Sequence, residues 1–178
     1  NPDYVRSSFC GSCHQKTYKE WEKTEVEDTC QNCHMPRKKA RLTDKFPLSL
    51  LHKRKWVGNH KFLHGDLTEK DILLEAEFKD KFFNFNLLNK TVPHNVPSAD
   101  NGDPRLYLYV TFLNEAGEQV DQTKEILAPQ QDTALPFNKK VRFSYRLFGL
   151  VAQANIVLKY QPAWSKEKDL VWEKTIRP

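Results

Sequence analysis

Four cysteines and two histidines form two short motifs near the start of the chain. Residues 10–14 read CGSCH and residues 30–34 read CQNCH. The C-x-x-C-H pattern is the attachment signature of a c-type haem, in which both thiols form thioether bonds to the porphyrin and the histidine binds the iron. One match could be chance or half of a zinc site, but two matches use every cysteine of the chain. The sequence therefore predicts two covalently bound haems c, held by Cys10, Cys13, Cys30 and Cys33, with His14 and His34 on the irons.

Each motif provides one axial nitrogen, so the opposite face of each haem needs a ligand from elsewhere in the chain. The chain contains six histidines and one methionine, Met35. This methionine directly follows His34 and cannot reach the opposite face of the same haem. Bis-histidine ligation is therefore expected, and the candidates are His52, His60, His64 and His94.

The loop around His94 is the most constrained of these candidate positions. Pro93 precedes His94 and Pro97 follows shortly after it. Proline fixes its own φ angle, so the two prolines stiffen the loop and hold the imidazole in one direction. We expect His94 to be an axial ligand, and an exposed loop histidine is the alternative.

His60 is the other favoured axial ligand. It is close in sequence to the second motif, and Phe62 beside it is expected to pack against a haem. His64 lies in the same short segment, and His52 lies in the basic stretch before it. For His64 and His52 a surface position is the preferred interpretation, although both remain candidates for an axial position.

The segment after the first motif is predicted to form a helix. His14, Tyr18 and Trp21 are spaced i, i+4 and i+7, which places them on one helix face. The two aromatic rings are therefore expected to pack against the first haem. The alternative is that they are ordinary core residues.

Length, composition and charge restrict the class of protein. The chain has 178 residues, of which 39% are hydrophobic and 29% charged, as expected of a soluble globular protein. The formal net charge is +5 and the pI about 9.0. The propionates of two haems would offset this charge, so nucleic-acid binding is not expected. No apolar run is long enough for a membrane helix, and no signal peptide is present. Because haem is attached after export, we expect a trimmed form of a periplasmic, extracellular or cell-surface protein.

The pattern of apolar residues changes near residue 70. Residues 37–59 are basic, contain Pro47 and Gly58, and are predicted to be irregular. Later segments alternate apolar and polar residues, which is typical of half-buried strands. These segments are Leu74–Phe78, Phe83–Leu87, Arg105–Phe112, Gln119–Ile126, Val141–Leu147, Ala154–Tyr160 and Leu170–Ile176.

These patterns predict an α+β fold with two domains. Residues 1–68 are expected to form a small, mostly helical or irregular dihaem cytochrome c domain. It has few apolar residues and is expected to be largely unfolded without haem. Residues 69–178 are expected to form an antiparallel immunoglobulin-like β-sandwich that contributes a loop to the haem site. The acidic stretch at residues 100–103 is interpreted as a turn, with a cation site as the less favoured alternative.

The run from Cys10 to Trp21, the later sequence CHMP at residues 33–36 and the segment beginning at His60 resemble multihaem c-type cytochromes of bacterial periplasms and cell surfaces. In that family C-x-x-C-H-x-x-x-Y-x-x-W, C-H-M-P and H-x-F-x-G recur. This chain departs from the third pattern at His64, which takes the place of the glycine. Residues 93–98 resemble the family's G-H-x-x-P-T-G loop, with proline replacing the first glycine. The resemblance, which covers residues 9–112, implies that His14 and His34 are proximal ligands and that His60 and His94 are distal ligands.

Two haems with both axial positions filled have no open position for a substrate, so the chain is expected to be an electron-transfer protein rather than an enzyme. Its expected partners are redox proteins such as other multihaem cytochromes. The alternative is a haem enzyme, or a redox or gas sensor, in which one haem has an open or exchangeable distal position.

Overall fold

Most of the chain folds as antiparallel β-structure. The structure, a computed structural model, describes residues 2–41, 43–58 and 66–178. Of these residues 41% lie in strands or bridges and 17% in helices. The predicted α+β class, in which a mostly helical or irregular dihaem domain precedes an immunoglobulin-like sandwich, is therefore wrong.

The helices of the amino-terminal segment are too short to build a helical domain. After a 3-10 turn at Pro2–Val5, α1 spans Ser7–Gly11, α2 Gln15–Glu22, α3 Cys30–His34 and α4 Leu48–Leu51. Only α2 exceeds five residues. The other three are single turns. The second cysteine motif occupies α3, and the first begins in α1 and continues beyond it. Proline follows α3 within two residues and directly precedes α4, which limits both.

A two-stranded ribbon takes the place of the irregular segment that the sequence predicted at residues 37–59. Strand β1 (Arg37–Ala40) pairs antiparallel with β2 (Lys55–Gly58). The ribbon is largely exposed, and the Lys39 ammonium lies 5.4 Å from the centre of the Trp56 ring. Because its strands do not alternate apolar and polar residues, the usual sequence signal of a strand is absent.

The remainder of the chain forms two antiparallel sheets. The strands are β3 (Ile72–Lys79), β4 (Phe82–Asn89), β5 (Arg105–Leu113), β6 (Gln119–Leu127), β7 (Lys140–Arg146), β8 (Gln153–Gln161) and β9 (Asp169–Ile176). One sheet has the order β3-β4-β7 and the other β6-β5-β8-β9. These strands coincide with the alternating segments of the sequence. The chain passes from the first sheet to the second between β4 and β5, in the loop that carries His94.

The apolar core belongs to these two sheets. Its fully buried side chains include Phe83 and Phe85 of β4, Leu108 and Phe112 of β5, and Ile156 of β8. The whole cluster and the apolar side chains packed on it lie between residues 67 and 176. Burial of each large apolar side chain contributes about 1.5–3 kcal/mol. The sheets are therefore the stable base from which the His94 loop extends.

Acid pH is expected to weaken the turn that leads into β3. The Asp71 carboxylate accepts hydrogen bonds from the Thr91 hydroxyl and from the amide and hydroxyl of Thr68, the last two at 2.8 Å. Burial raises the pKa of Asp71, but these hydrogen bonds outweigh that effect and hold the pKa below its ordinary value. The stabilisation is therefore complete above the unfolded-state pKa of about 3.9 and is lost as the pH falls through the lower folded-state pKa.

Asp71→Asn should lower the free energy of unfolding at pH 6 by about 1 kcal/mol, a value reduced because the carboxylate is partly exposed. Chemical denaturation between pH 2 and 6 checks this, and the difference from the wild type should shrink below about pH 4. Asp80→Asn in the exposed β3–β4 turn is the control and should have little effect. A difference that stays constant over the whole pH range would contradict the assigned role of the carboxylate.

Candidate functional site

The two cysteine motifs lie against each other. The backbone N–H of Cys30 donates to the buried Ser7 hydroxyl over 3.0 Å. The Gln31 side-chain amide donates to the carbonyl oxygens of Tyr4 and Arg6 over 3.0 and 2.8 Å. These bonds join α3 to the segment around α1, so groups attached to the two motifs would be close neighbours.

Two of the four cysteine thiols have raised pKa values, and two are exposed. All four are free, and Cys13 and Cys33 are exposed. Burial raises the pKa of Cys10, and the Cys30 thiol, which forms a hydrogen bond with Cys10, raises it further. The pKa of Cys33 is raised by burial and by the nearby Asp28 carboxylate. Neither group is therefore a thiolate at neutral pH.

The structure brings the second motif together with the His94 loop. The imidazole rings of His34 and His94 have their centres 6.2 Å apart and their planes 30° apart. His34 ends α3 and is exposed, whereas His94 is partly buried in the loop between β4 and β5. Two residues 60 positions apart thus place their imidazoles in one small region.

A backbone contact orients the His94 ring. Its Nδ1 atom lies 2.8 Å from the Asn95 carbonyl oxygen, so Nδ1–H donates to that oxygen. The proton is then on Nδ1, and Nε2 is left with a lone pair. Burial lowers the pKa of His94 and outweighs the opposing effect of this hydrogen bond, and the neighbouring His34 lowers it further. His94 is therefore neutral at pH 7, which is the form that binds metals.

The Asn89 side chain holds the backbone at the start of this loop by hydrogen bonds. The sequence analysis did not predict this role. The Asn89 side chain is fully buried at the end of β4. Its amide donates to the carbonyl oxygens of Val92 and His94 over 3.0 and 2.7 Å, and its own oxygen accepts from the Val92 amide. A buried amide with all these bonds satisfied fixes the backbone around His94. The signal for it was an asparagine interrupting an otherwise apolar strand end.

The same loop caps helix α2. Asp100 accepts hydrogen bonds from the backbone amides of Lys16 and Thr17 over 2.6 and 3.3 Å, and from the Thr17 hydroxyl over 3.1 Å. His14 is the N-cap residue of α2, but its side chain does not cap the helix. Asp100 therefore does this from a distant loop, and its negative charge also favours the helix N-terminus. Among the described residues, including the acidic stretch at 100–103, no three or more His, Cys, Asp or Glu side chains are grouped so that they could hold a metal ion.

Two side chains of α2 hold the helix against the connections between the strands. The Glu20 carboxylate accepts from the Asn95 backbone amide over 3.2 Å and from the Ser98 hydroxyl over 2.6 Å. The Lys16 ammonium donates to the Pro129 carbonyl oxygen over 2.6 Å. The helix that follows His14 and the loop that carries His94 therefore form one hydrogen-bonded unit.

The two aromatic residues predicted to pack on a haem lie side by side on α2. The ring centres of Tyr18 and Trp21 are 5.7 Å apart, and both side chains are partly buried. The Trp21 indole N–H donates to the Asp28 carbonyl oxygen over 3.1 Å. Tyr18 also covers Gly11 of the first motif, where an added Cβ would lie 2.8 Å from the ring atoms Cγ and Cδ1.

Gly11→Ala should therefore lower the free energy of unfolding by about 1–2 kcal/mol. Overpacking against the base of the Tyr18 ring typically costs about 1–3 kcal/mol, and the better helix propensity of alanine offsets only part of this cost. Thermal denaturation checks the change. Gly58→Ala is the matched control, because its Cβ would lie 3.4 Å from the flexible end of Met35, so it should cost far less. Equal stability of the two variants would contradict the expected clash.

The other candidate residues lie elsewhere or cannot be placed. His60, His64 and Phe62 fall outside the described residues. His52 is partly buried at the C-terminal end of α4, and the Met35 side chain packs beside Gly58. Among the helices of the described residues, none has the length and apolar character needed to span a membrane.

Comparison with known proteins gives a fold and no more. No protein-family model matches the chain, and no curated protein matches it. Among solved structures, the chain is similar to that of a penta-heme cytochrome c552 from Thermochromatium tepidum, with a TM-score of 0.64 and 19% sequence identity. The chain has a multihaem-cytochrome-like fold. The similarity covers 98% of this chain and 57% of that protein, so this chain spans little more than half the length of its neighbour.

Proposed function

We propose that this chain is an electron-transfer protein that holds two haems c, one at each cysteine motif. The observation that supports this most directly is that the His94 imidazole has its ring centre 6.2 Å from that of His34 in the second motif. Haem c needs two thiols, a proximal histidine and, in a six-coordinate centre, a second ligand on the other face. Cys30, Cys33, His34 and His94 provide that complete set.

The spacing of the two imidazoles fits an iron between them. An iron bound in line between two imidazole nitrogens, at about 2 Å from each, separates the ring centres by roughly 6 Å. The observed separation is 6.2 Å. The Nδ1–H of His94 donates to a backbone carbonyl, which is the arrangement that fixes the orientation of most metal-binding histidines. His94 thus presents Nε2 in the neutral, ligand-competent form.

For the first haem, we propose Cys10, Cys13 and His14 as the attachment and proximal residues. Tyr18 and Trp21 would lie against its porphyrin, because they extend from the helix that begins beside His14. His60 is the proposed distal ligand, with His64 and then His52 as the next candidates. Phe62 would pack against the same haem.

When bound, the haem iron supplies one-electron redox chemistry by alternating between the ferrous and ferric states. The protein around the haem would set the reduction potential of the iron. The His34 and His94 imidazoles would hold the iron of the second haem and would exclude water and substrates from it. The contact between the two motifs through Ser7 and Cys30 keeps both attachment points close, so electrons could pass directly between the haems.

We also propose that the chain acts in the periplasm or at the cell surface, where covalent haem attachment is completed, and that its partners are redox proteins such as other multihaem cytochromes. Because the chain matches only 57% of its structural neighbour, these partners could include further haem-bearing segments. We also propose that residues 1–68 form the domain that holds the haems and that residues 69–178 form a second domain that contributes a loop to the haem site.

Expression with export and haem-maturation machinery tests the proposed function. We expect two haems per chain from the intact mass and the pyridine haemochrome spectrum, and an entirely low-spin visible spectrum without carbon monoxide binding by the reduced protein. Cys30→Ser/Cys33→Ser is the control and should retain one haem. A wild-type protein that carries no haem, or in which one haem binds carbon monoxide readily, would contradict simple electron transfer; the second result would favour the enzyme or sensor alternative.

A further inference from the structure

The segment from Asn95 to Asp100 is held on α2 by two carboxylates that come from opposite directions. Glu20 extends from α2 to the loop, where its Oε2 atom accepts from the Asn95 amide and the Ser98 hydroxyl. Asp100 extends from the loop to the first turn of α2. The two contacts are one helical turn apart on the same face of α2, so they resist both sliding and rotation of the loop.

The Glu20 contact acts on the residue that orients His94. Asn95 donates its N–H to Glu20 and uses its carbonyl oxygen to accept from His94 Nδ1. The Asn95 backbone is therefore held by Glu20 of α2 through its N–H, and it holds the His94 imidazole through its carbonyl oxygen. Without Glu20, the Asn95 amide would lose its partner, and the segment holding the imidazole would be free to turn.

We propose that Glu20 is a positioning residue that holds His94 in place opposite His34. The inference rests on the proposed function, because it assumes that His94 is the distal ligand of the second haem. It adds that a carboxylate on the helix following the first motif controls ligation at the second. The two haem sites are then mechanically linked through α2 and the loop.

Two variants of the haem-loaded protein test the hydrogen bonds that Glu20 accepts from Asn95 and Ser98. Glu20→Ala removes the acceptor, whereas Glu20→Gln removes the charge and keeps an acceptor oxygen. Alanine should speed hydrogen exchange of the Asn95 amide by about tenfold or more, since a hydrogen bond to a charged group is lost. One haem of this variant should become partly high-spin and bind carbon monoxide after reduction. Glutamine keeps an acceptor oxygen and should restore the low-spin spectrum and most of the protection.

Two other variants provide the controls. Glu22→Ala removes a carboxylate from the same helix that accepts a hydrogen bond from the Tyr18 hydroxyl over 3.2 Å, and it should leave the second haem unchanged. Ser98→Ala removes one of the two hydrogen bonds to Glu20 from the loop side, together with the contact between the Ser98 and Thr17 hydroxyls over 2.9 Å, and leaves the sequence of α2 unchanged. It should shift the spin state in the same direction as Glu20→Ala, and by less, even if the alanine variant at position 20 folds poorly.

An unchanged spin state in both Glu20→Ala and Ser98→Ala would overturn the positioning role, even if amide exchange is faster. Equal loss of low-spin haem in the alanine and glutamine variants would overturn it as well. Failure of the proposed function has a different signature, in which His94→Ala itself leaves both haems low-spin. The exchange rate of the Asn95 amide would then still report whether Glu20 holds the loop.

Discussion

His94→Ala is expected to convert one of the two proposed haems from low-spin to high-spin and to allow one carbon monoxide per chain to bind after reduction. The reason is that the ring centres of His94 and His34 lie 6.2 Å apart, and that the Nδ1 atom of His94 is directed to the Asn95 carbonyl oxygen. Alanine leaves the iron with one protein ligand, and an open position accepts water or a diatomic gas. The other haem should remain six-coordinate.

Visible and electron paramagnetic resonance spectra measure this change, and carbon monoxide titration counts the open sites. His52→Ala is the matched control, since His52 lies at the end of α4, and it should preserve both low-spin haems. The covalent haem count should stay at two in both variants because the thioether bonds do not involve either histidine. Retention of a fully low-spin spectrum in His94→Ala would refute the pairing of His34 with His94.

Removal of all four cysteines is expected to leave the segment up to residue 58 unfolded while the two sheets remain folded. The described part of that segment has only two buried residues, Ser7 and Ser49, and adds none to the apolar core. Several of its large apolar side chains face solvent, including Phe46 at 80% exposure and Leu51 at 79%. Covalent porphyrins would supply the apolar surface that these side chains lack, so a chain with alanine at Cys10, Cys13, Cys30 and Cys33 should lose order there.

Limited proteolysis and hydrogen exchange measure the effect. Cleavage after lysines and arginines of residues 16–58 should become on the order of 100-fold faster than in the haem-loaded protein, as local unfolding becomes favourable. Sites within β7 and β8 should keep their protection. The double variant Cys30→Ala/Cys33→Ala, which retains the first motif, should be intermediate. Equal resistance of the segment in the haem-free and haem-loaded proteins would show that it folds without the cofactor.

The strands of the two sheets could be predicted because each has one buried face. In β5, Leu106, Leu108, Val110 and Phe112 face the core and alternate with partly polar positions. This period-two pattern identifies a strand without knowledge of its neighbours. The pairing of the strands and the division into two sheets depend on contacts between distant residues, which a single sequence does not show.

The amino-terminal segment was harder to predict because little in it is buried. The β1–β2 ribbon has Arg37, Lys38 and Lys39 in one strand, a composition typical of a solvated loop. Backbone pairing is its main support, and its side chains show no apolar and polar alternation that would have predicted it. The fold class inferred from sequence was wrong mainly because a segment with short helices and basic residues was interpreted as helical or irregular.

The candidate site also contains some residues that the sequence predicts and others that only the tertiary structure reveals. The cysteines and proximal histidines are predicted by a contiguous motif, since covalent attachment requires neighbouring residues. Glu20, Asn89 and Asp100 function through partners more than 70 positions away or through burial. In the sequence Glu20 is one charge among many on a short helix, and Asp100 belongs to a polar turn. Their roles follow only from the tertiary structure, as does the choice of His34 as the neighbour of His94.

The cap on α2 has a consequence for the order in which the chain acquires structure. Asp100 lies 84 positions after Lys16, and the Pro129 carbonyl that Lys16 also meets lies 113 positions after it. An eight-residue helix is only marginally stable by itself in water. We therefore expect α2 to become stable only after β4 and β5 have joined their sheets and positioned the loop between them. The cysteine motifs precede β4 and β5 in the chain. Until the later residues have folded, their thiols would therefore stay accessible to the proposed haem attachment, and the sheets and the His94 loop would then fold around the attached porphyrin.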